Sequence, residues 1–331
     1  MFDQRLIKKI IKAIGIKKSE LVLLHFWGED SDLEILHNFS CEVASIGGSP
    51  LVLHQSRSAN AKLFEGMEEG CFSENYFKIF DTVDIVIDIC MYQPVQLGSK
   101  LEDSQMNYYR KYMSDLFRAL ESKNKFVQIR IPTEQFAMEE GIDPELFIND
   151  MYKAYDIDYD NLKIICEDKC SELKNKTKAT IYTKNDCELK LELTDRKWYV
   201  DAGEGDFPSG EVSIAPVEKK TNGTIYFEKL WLDTDIVVTD VILKIINGRI
   251  VDANSEQMLE FINELPPNGD IVCELGLGMN PNIGELKGYT VLDEKKAGTF
   301  HIAIGMNHLF GGKNVCMMHM DFVGYGEVVF S

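Results

Sequence analysis

The hydrophobic rhythm of the chain changes near residue 155, and that change limits the folds open to it. Upstream, apolar runs of strand length, "LVLLHFW" (21–27), "SPLVLHQ", "DTVDIVIDIC" and "KFVQIRIP", alternate with helical stretches. One of these, "DSDLEILHNFSCEVASIGG", has an Asp/Ser start and a Gly stop; another is "QMNYYRKYMSDLFRALESKN". Strand, helix and strand in alternation predict an N-terminal α/β domain with a mainly parallel sheet, over residues 1–155. A helical stretch over 134–175 leads into a second texture. There "KATIYTKNDCELKLELTD", "KWYVDAG", "GTIYFEKLWL", "DIVVTDVILKIING" and "RIVDA" alternate apolar and polar residues between turn signals, followed by a helix near 254–265. This predicts antiparallel strands and an α+β domain over residues 156–331. Gly47 and Gly48 follow a helix instead of opening one, so they do not form a phosphate loop. The first half therefore reads as scaffold or substrate access.

Length agrees with two domains, since 331 residues exceed what one core comfortably organises. Hydrophobic content of 45% and charged content of 27% are those of a globular protein. No apolar run is long enough to cross a bilayer. Lys8, Lys9 and Lys12 interrupt the N-terminal apolar stretch, so it does not read as a signal peptide. Phe2, Leu6, Ile10, Ala13 and Ile14 recur there at helical spacing, as in an amphipathic helix that docks on its own domain or lies on a membrane surface. A formal charge of −19 argues against nucleic acid as a partner, because binding phosphates needs basic patches. Of the eight cysteines only Cys166 and Cys170 are close, and "CEDKC" is one residue too long for a C-x-x-C pair. Reduced, mostly packed thiols in a cytoplasmic protein are the expectation.

The chemistry-bearing residues concentrate in the second half. Half of the six histidines, His301, His308 and His319, lie near its end. Glu211 occurs in "FPSGEVSIAP", Glu274 in "IVCELGLGMNP", His301 in "GTFHIAIG", and His319 with Asp321 in "MMHMDF". Each is a polar group set in apolar sequence, where burial without a partner costs about 1–3 kcal/mol or more. A shared divalent cation supplies the missing counter-charge, and His with Asp/Glu suits zinc, cobalt, manganese or ferrous iron. The period of a strand aims His319 and Asp321 at one face. The bland alternative is a set of separately satisfied core histidines and a turn glutamate. The pattern alone names no reaction.

Four of these segments, "FPSGEVSIAPVEKKTNGTIYF", "CELGLGMNP", "LDEKKAGTFHIAIG" and "GGKNVCMMHMDF", resemble the thermophilic aminopeptidase family (aminopeptidase T/aminopeptidase S, peptidase family M29). Order, spacing and flanking Gly and Pro agree across about residues 180–325. The resemblance implies two divalent ions (zinc, cobalt, manganese or magnesium) held by Glu211, Glu274, His301, His319 and Asp321. It also implies a metal-activated water that removes N-terminal residues from a peptide or small amide substrate. Glu274, or Glu294 seven residues before His301, would carry the proton, with a salt bridge to Lys295 or Lys296 as the plain alternative for Glu294. Relatives of this kind associate as dimers, so a homodimer without nucleic-acid or membrane partners is expected. The family pattern has a tyrosine where this chain has His308. That imidazole would donate to an oxyanion, ligate metal or fill the pocket wall. A second likeness, to ring-cleaving dioxygenases of the dihydroxypyridine type, implies His301, His319 and Asp321 on one ferrous ion. A catalytically inert member of the family is the third reading.

Overall fold

The computed structural model describes residues 2–68, 70–121, 123–233 and 236–331. Its strands are, in chain order, β1 (Leu21–Trp27), β2 (Ser49–Gln55), β3 (Ile85–Cys90), β4 (Lys125–Arg130), β5 (Lys178–Thr183), β6 (Cys187–Glu192), β7 (Trp198–Asp201), β8 (Asp206–Phe207), β9 (Glu211–Ile214), β10 (Asn222–Asp233), β11 (Ile236–Ile246), β12 (Arg249–Ala253), β13 (Val272–Gly278), β14 (Phe300–Gly305), β15 (His319–Gly324) and β16 (Glu327–Phe330). The chain forms two compact units: Met1–Tyr155 with Gly203–Pro208, and Asp156–Ala202 with Ser209–Ser331.

The first unit is α/β. Its five-stranded sheet, in the order β2-β1-β3-β4-β8, is parallel throughout. β3 is buried along its whole length and β1 nearly so, as their unbroken apolar runs require when helices cover both faces of a sheet. The N-terminal helix Gln4–Ile14 starts where the Asp3 carboxylate accepts from the Leu6 N–H, and stops at Gly15, whose φ of 69° suits glycine. Leu6, Ile7, Ile10, Ile11 and Ile14 are buried within this unit, and Phe2 packs edge-on against Tyr155. The amphipathic stripe thus serves its own domain. At the centre of the sheet, buried Asp88 accepts from Trp27 Nε1 at 2.7 Å and Gln128 Nε2 at 2.6 Å, and lies 2.9 Å from His25 Nδ1.

The second unit is α+β. A six-stranded sheet, β12-β11-β10-β6-β5-β16, and a five-stranded sheet, β15-β14-β13-β9-β7, have antiparallel neighbours. Ile181, Leu189, Phe227 and Leu243 from the first share one core with Ile214, Leu275, Phe300, Ile302, Ile304 and Phe322 from the second. Burial of alternate residues along β6 and β11 explains their alternating sequence. The helical stretch expected over 134–175 is three helices: Glu134–Glu139, Pro144–Tyr155 and Tyr159–Leu173. Gly141 at φ 66° and Pro144 break the first join, and Asp158 caps the third helix through the Asn161 N–H. All eight cysteines are free thiols. Among the described residues, no helix is long and apolar enough to cross a membrane.

Candidate metal centre

Strand register gathers the polar residues onto one face of the five-stranded sheet. Asp321 on β15 stands opposite Ala303 on β14, which stands opposite Glu274 on β13. Two residues along, His301 is opposite Gly276, and beyond that Gly278 is opposite Glu211 on β9, itself opposite Asp201 on β7. Side chains two apart share a face, so Asp201, Glu211, Glu274, His301, His319 and Asp321 all project from the same side. The other side carries Ile214, Leu275, Ile302 and Phe322 into the core. A register shift between Val272 and Glu274 marks a bulge where the glutamate enters the row. Gly276 makes room: a Cβ there would lie 1.9 Å from His301 Nε2.

Distances are short throughout. His319 Nε2 lies 3.3 Å from Glu274 Oε2 and 3.4 Å from Asp321 Oδ1. His301 Nε2 lies 3.4 Å from Glu211 Oε2, 3.9 Å from Asp321 Oδ1 and 4.0 Å from Glu274 Oε1. Among the described residues, Glu274, His319 and Asp321 form the group whose ligand atoms all lie within 4.8 Å of one another. His319 Nδ1 is 2.9 Å from the Met306 carbonyl, a contact that orients the ring and leaves Nε2 toward the carboxylates. Phe310 packs edge-on against that ring.

Lys295 completes the cluster. It follows the one-turn helix Thr290–Asp293, and its side chain is only 3% exposed. Its Nζ lies 2.5 Å from Glu211 Oε1, 2.8 Å from Glu294 Oε1 and 3.6 Å from Asp201 Oδ2.

Burial and charge displace the protonation equilibria. Burial opposes the charge on Glu274, yet hydrogen bonding to His301 and His319 outweighs it and holds the carboxyl well below the usual range. Asp321 is lowered likewise, against burial, by His319 and then His301. Burial opposes the charge on His301 too, but Glu274, Glu211, Asp321 and Glu294 raise it to about 9. His319 is raised far above its ordinary value against the same penalty, through Asp321, Cys273 and Glu274. Glu294 goes the other way: burial pushes it up to about 8, opposed by Lys295 and reinforced by Asp321 and Glu211.

These residues fit a divalent ion. Two carboxylates and one imidazole converge at ligand spacing, and beside them Glu211 Oε2 and His301 Nδ1 are buried without a hydrogen-bond partner. The structure therefore brings Glu211, Glu274, Glu294, His301, His319 and Asp321 into one cluster. It does not bring His308 there. That side chain is exposed on a turn, with Nδ1 3.3 Å from the Asn314 carbonyl. Asp201 escaped the sequence reading; Lys295 entered it only as a salt-bridge partner for Glu294, a contact that is present, and not as a neighbour of Glu211. Asp321 also lines a small cleft with Asp293, Trp231 and Val323. Trp231 and Val323 also line an adjoining cavity of about 670 Å³ that includes Tyr226, Glu228, Asp240 and Glu285.

Carboxylates and imidazoles converging on one sheet face define a protein of the metal-binding class. The model of the family described as thermophilic metalloprotease (M29) matches residues 59–324, and the chain belongs to that family. It is thus a metallopeptidase by family, with a metal-dependent hydrolytic site as the shared chemistry. The fold is similar to that of wild-type AmpT from Thermus thermophilus, at a TM-score of 0.70 and 14% identity over 100% of this chain and 98% of the other. It is also similar to 2,5-dihydroxypyridine dioxygenase from Pseudomonas putida KT2440, at a TM-score of 0.62 and 13% identity over 98% and 92%. Comparison with curated protein sequences found no match.

Proposed function

We propose that the protein is a metal-dependent aminopeptidase, which removes N-terminal residues from peptides. The observation that carries this reading is the convergence of Glu274, His319 and Asp321 in a chain of the metalloprotease family. These three side chains would hold the ion. The chemistry an ion supplies when bound there is polarisation of the scissile carbonyl and acidification of a water. His319 is held in place by the Met306 carbonyl, so its Nε2 needs no reorientation to act as a ligand. Glu294, raised to about 8 by burial, stands near its titration point at neutral pH, where a carboxyl both takes and returns a proton efficiently. Glu228, Asp240 and Glu285 in the adjoining cavity favour a substrate bearing a free α-ammonium group, and Trp231 and Tyr226 offer apolar surface beside them.

A dioxygenase would use His301, His319 and Asp321 together. The group with mutual ligand spacing contains Glu274 in place of His301, and a fold likeness at 13% identity supports the scaffold alone. The hydrolase is the better-supported reading. Its test is release of the first residue from peptides with a free or an acetylated N-terminus, after loading with zinc, cobalt or manganese. Hydrolysis confined to free N-termini, with metal and activity lost together in Glu274→Gln, is the expected result. Equal cleavage of acetylated peptides would sink the aminopeptidase assignment.

A further inference from the structure

We infer that the centre takes one divalent ion, not two, and that the Lys295 ammonium occupies the place of a second cation. This rests on the reading of Glu274, His319 and Asp321 as metal ligands. The cluster holds five carboxylates, on Asp201, Glu211, Glu274, Glu294 and Asp321, and these side chains are at most 14% exposed. Such a set cannot stay dry without nearby positive charge. The carboxylates divide into two sides. Glu274 and Asp321 face His319 at ligand spacing. Glu211, Glu294 and Asp201 instead surround Lys295 Nζ, at 2.5, 2.8 and 3.6 Å.

His301 stands between the two sides, 3.4 Å from Glu211 and 3.9 Å from Asp321. A lysine ammonium is a compact point charge with three donors, suited to three carboxylates. With Nζ already at contact distance from Glu211 and Glu294, a second dication would have to displace it against strong repulsion. Lys295 is thus a positioning residue: it fixes the Glu211–His301 side of the cluster, and metal exchange cannot remove its charge.

The test is stoichiometry, which is independent of turnover. Full-length wild type, Glu274→Gln, Glu211→Gln and Lys295→Met would be titrated with Zn²⁺ and with Mn²⁺. Bound ions would be counted calorimetrically and by elemental mass spectrometry. One ion per wild-type chain, kept by Glu211→Gln and lost from Glu274→Gln, is expected. Lys295→Met should then take a second ion, because Glu211 and Glu294 have lost their cation. Two ions on the wild type, or loss of an ion in Glu211→Gln, would overturn the inference while leaving the metalloenzyme reading intact. A folded Lys295→Met chain that still takes one ion would also overturn it. A wild type that binds neither metal would remove the metal-ligand reading itself, and this inference with it. If Lys295→Met does not fold, the wild-type and Glu211→Gln counts still decide.

Discussion

At the scale of single residues, protons and metal compete for the same groups. The carboxylates hold both His301 and His319 in the charged form above the ordinary histidine range, whereas a metal ligand must be a neutral imidazole. Zn²⁺ binding at His319 is therefore expected to release protons, and its affinity to rise with pH. Calorimetry in buffers of different ionisation enthalpy checks this; a heat independent of the buffer would contradict it.

In the first unit, burial disfavours the Asp88 charge, but His25, Gln128 and Trp27 together hold its pKa below the usual carboxylate value. Because the folded value lies below the unfolded one of about 3.9, the stabilisation is complete above that pH. It is lost as pH falls through the folded value. Asp88→Asn should cost about 2–3 kcal/mol at neutral pH by removing the buried carboxylate that accepts from both Trp27 and Gln128. The deficit should shrink in acid, as urea titrations at several pH values would show.

At the scale of elements, the strands do the positioning, and their register is what no short stretch of sequence displays. His319 and Asp321 could be paired from the two-residue period alone, and Glu211, Glu274 and His301 from the likeness of their segments to a family. Lys295 was legible only as a salt-bridge partner of its neighbour Glu294; its contacts with Glu211 and Asp201 were not, because Glu211 lies 84 positions earlier in the chain and Asp201 earlier still. The lysine is buried only because the turn after Thr290–Asp293 lies over a sheet whose strands are far apart in sequence. His308 stands apart from the cluster. Its spacing from His301 matched a family position, but it lies beyond the end of β14, on an exposed turn. The fold class was plainer, since unbroken apolar runs and alternating runs report directly on parallel and antiparallel sheets. The long helical stretch after residue 134 needed its Gly141 and Pro144 read as breaks. One prediction belongs to this scale: Gly276→Ala places a methyl group into the His301 ring. It should lower kcat/KM on the order of 100-fold with the fold retained, the cost of a misplacement of about 1 Å beside the ligands. Kinetics alongside circular dichroism checks this; near-normal kinetics would show that the imidazole position does not matter.

At the scale of the whole molecule, the order of elements along the chain matters more than their number. Between β7, which ends in Asp201, and β9, which begins with Glu211, the chain runs through Gly203–Pro208 and adds β8 to the first unit's sheet. Tyr155 donates its hydroxyl to the carbonyls of both Arg130 and Phe207, so the last helix of that unit is tied to the same insertion. A fragment of residues 1–155 would leave the outer edge of β4 unpaired, an invitation to intermolecular pairing. It is expected to self-associate in light scattering, whereas the same fragment with 203–208 joined through a flexible glycine linker should remain monomeric. Monomeric behaviour of both would mean the inserted strand is dispensable.

That insertion also bears on how such a protein is made and inherited. As the chain leaves the ribosome, the first unit must wait for some fifty further residues before its sheet can close, by which time two strands of the next sheet and one from the metal-bearing sheet have already emerged. For the same reason no single genetic crossover can exchange one unit and leave the other whole. Scaffold and metal centre are bound to travel through evolution as a pair.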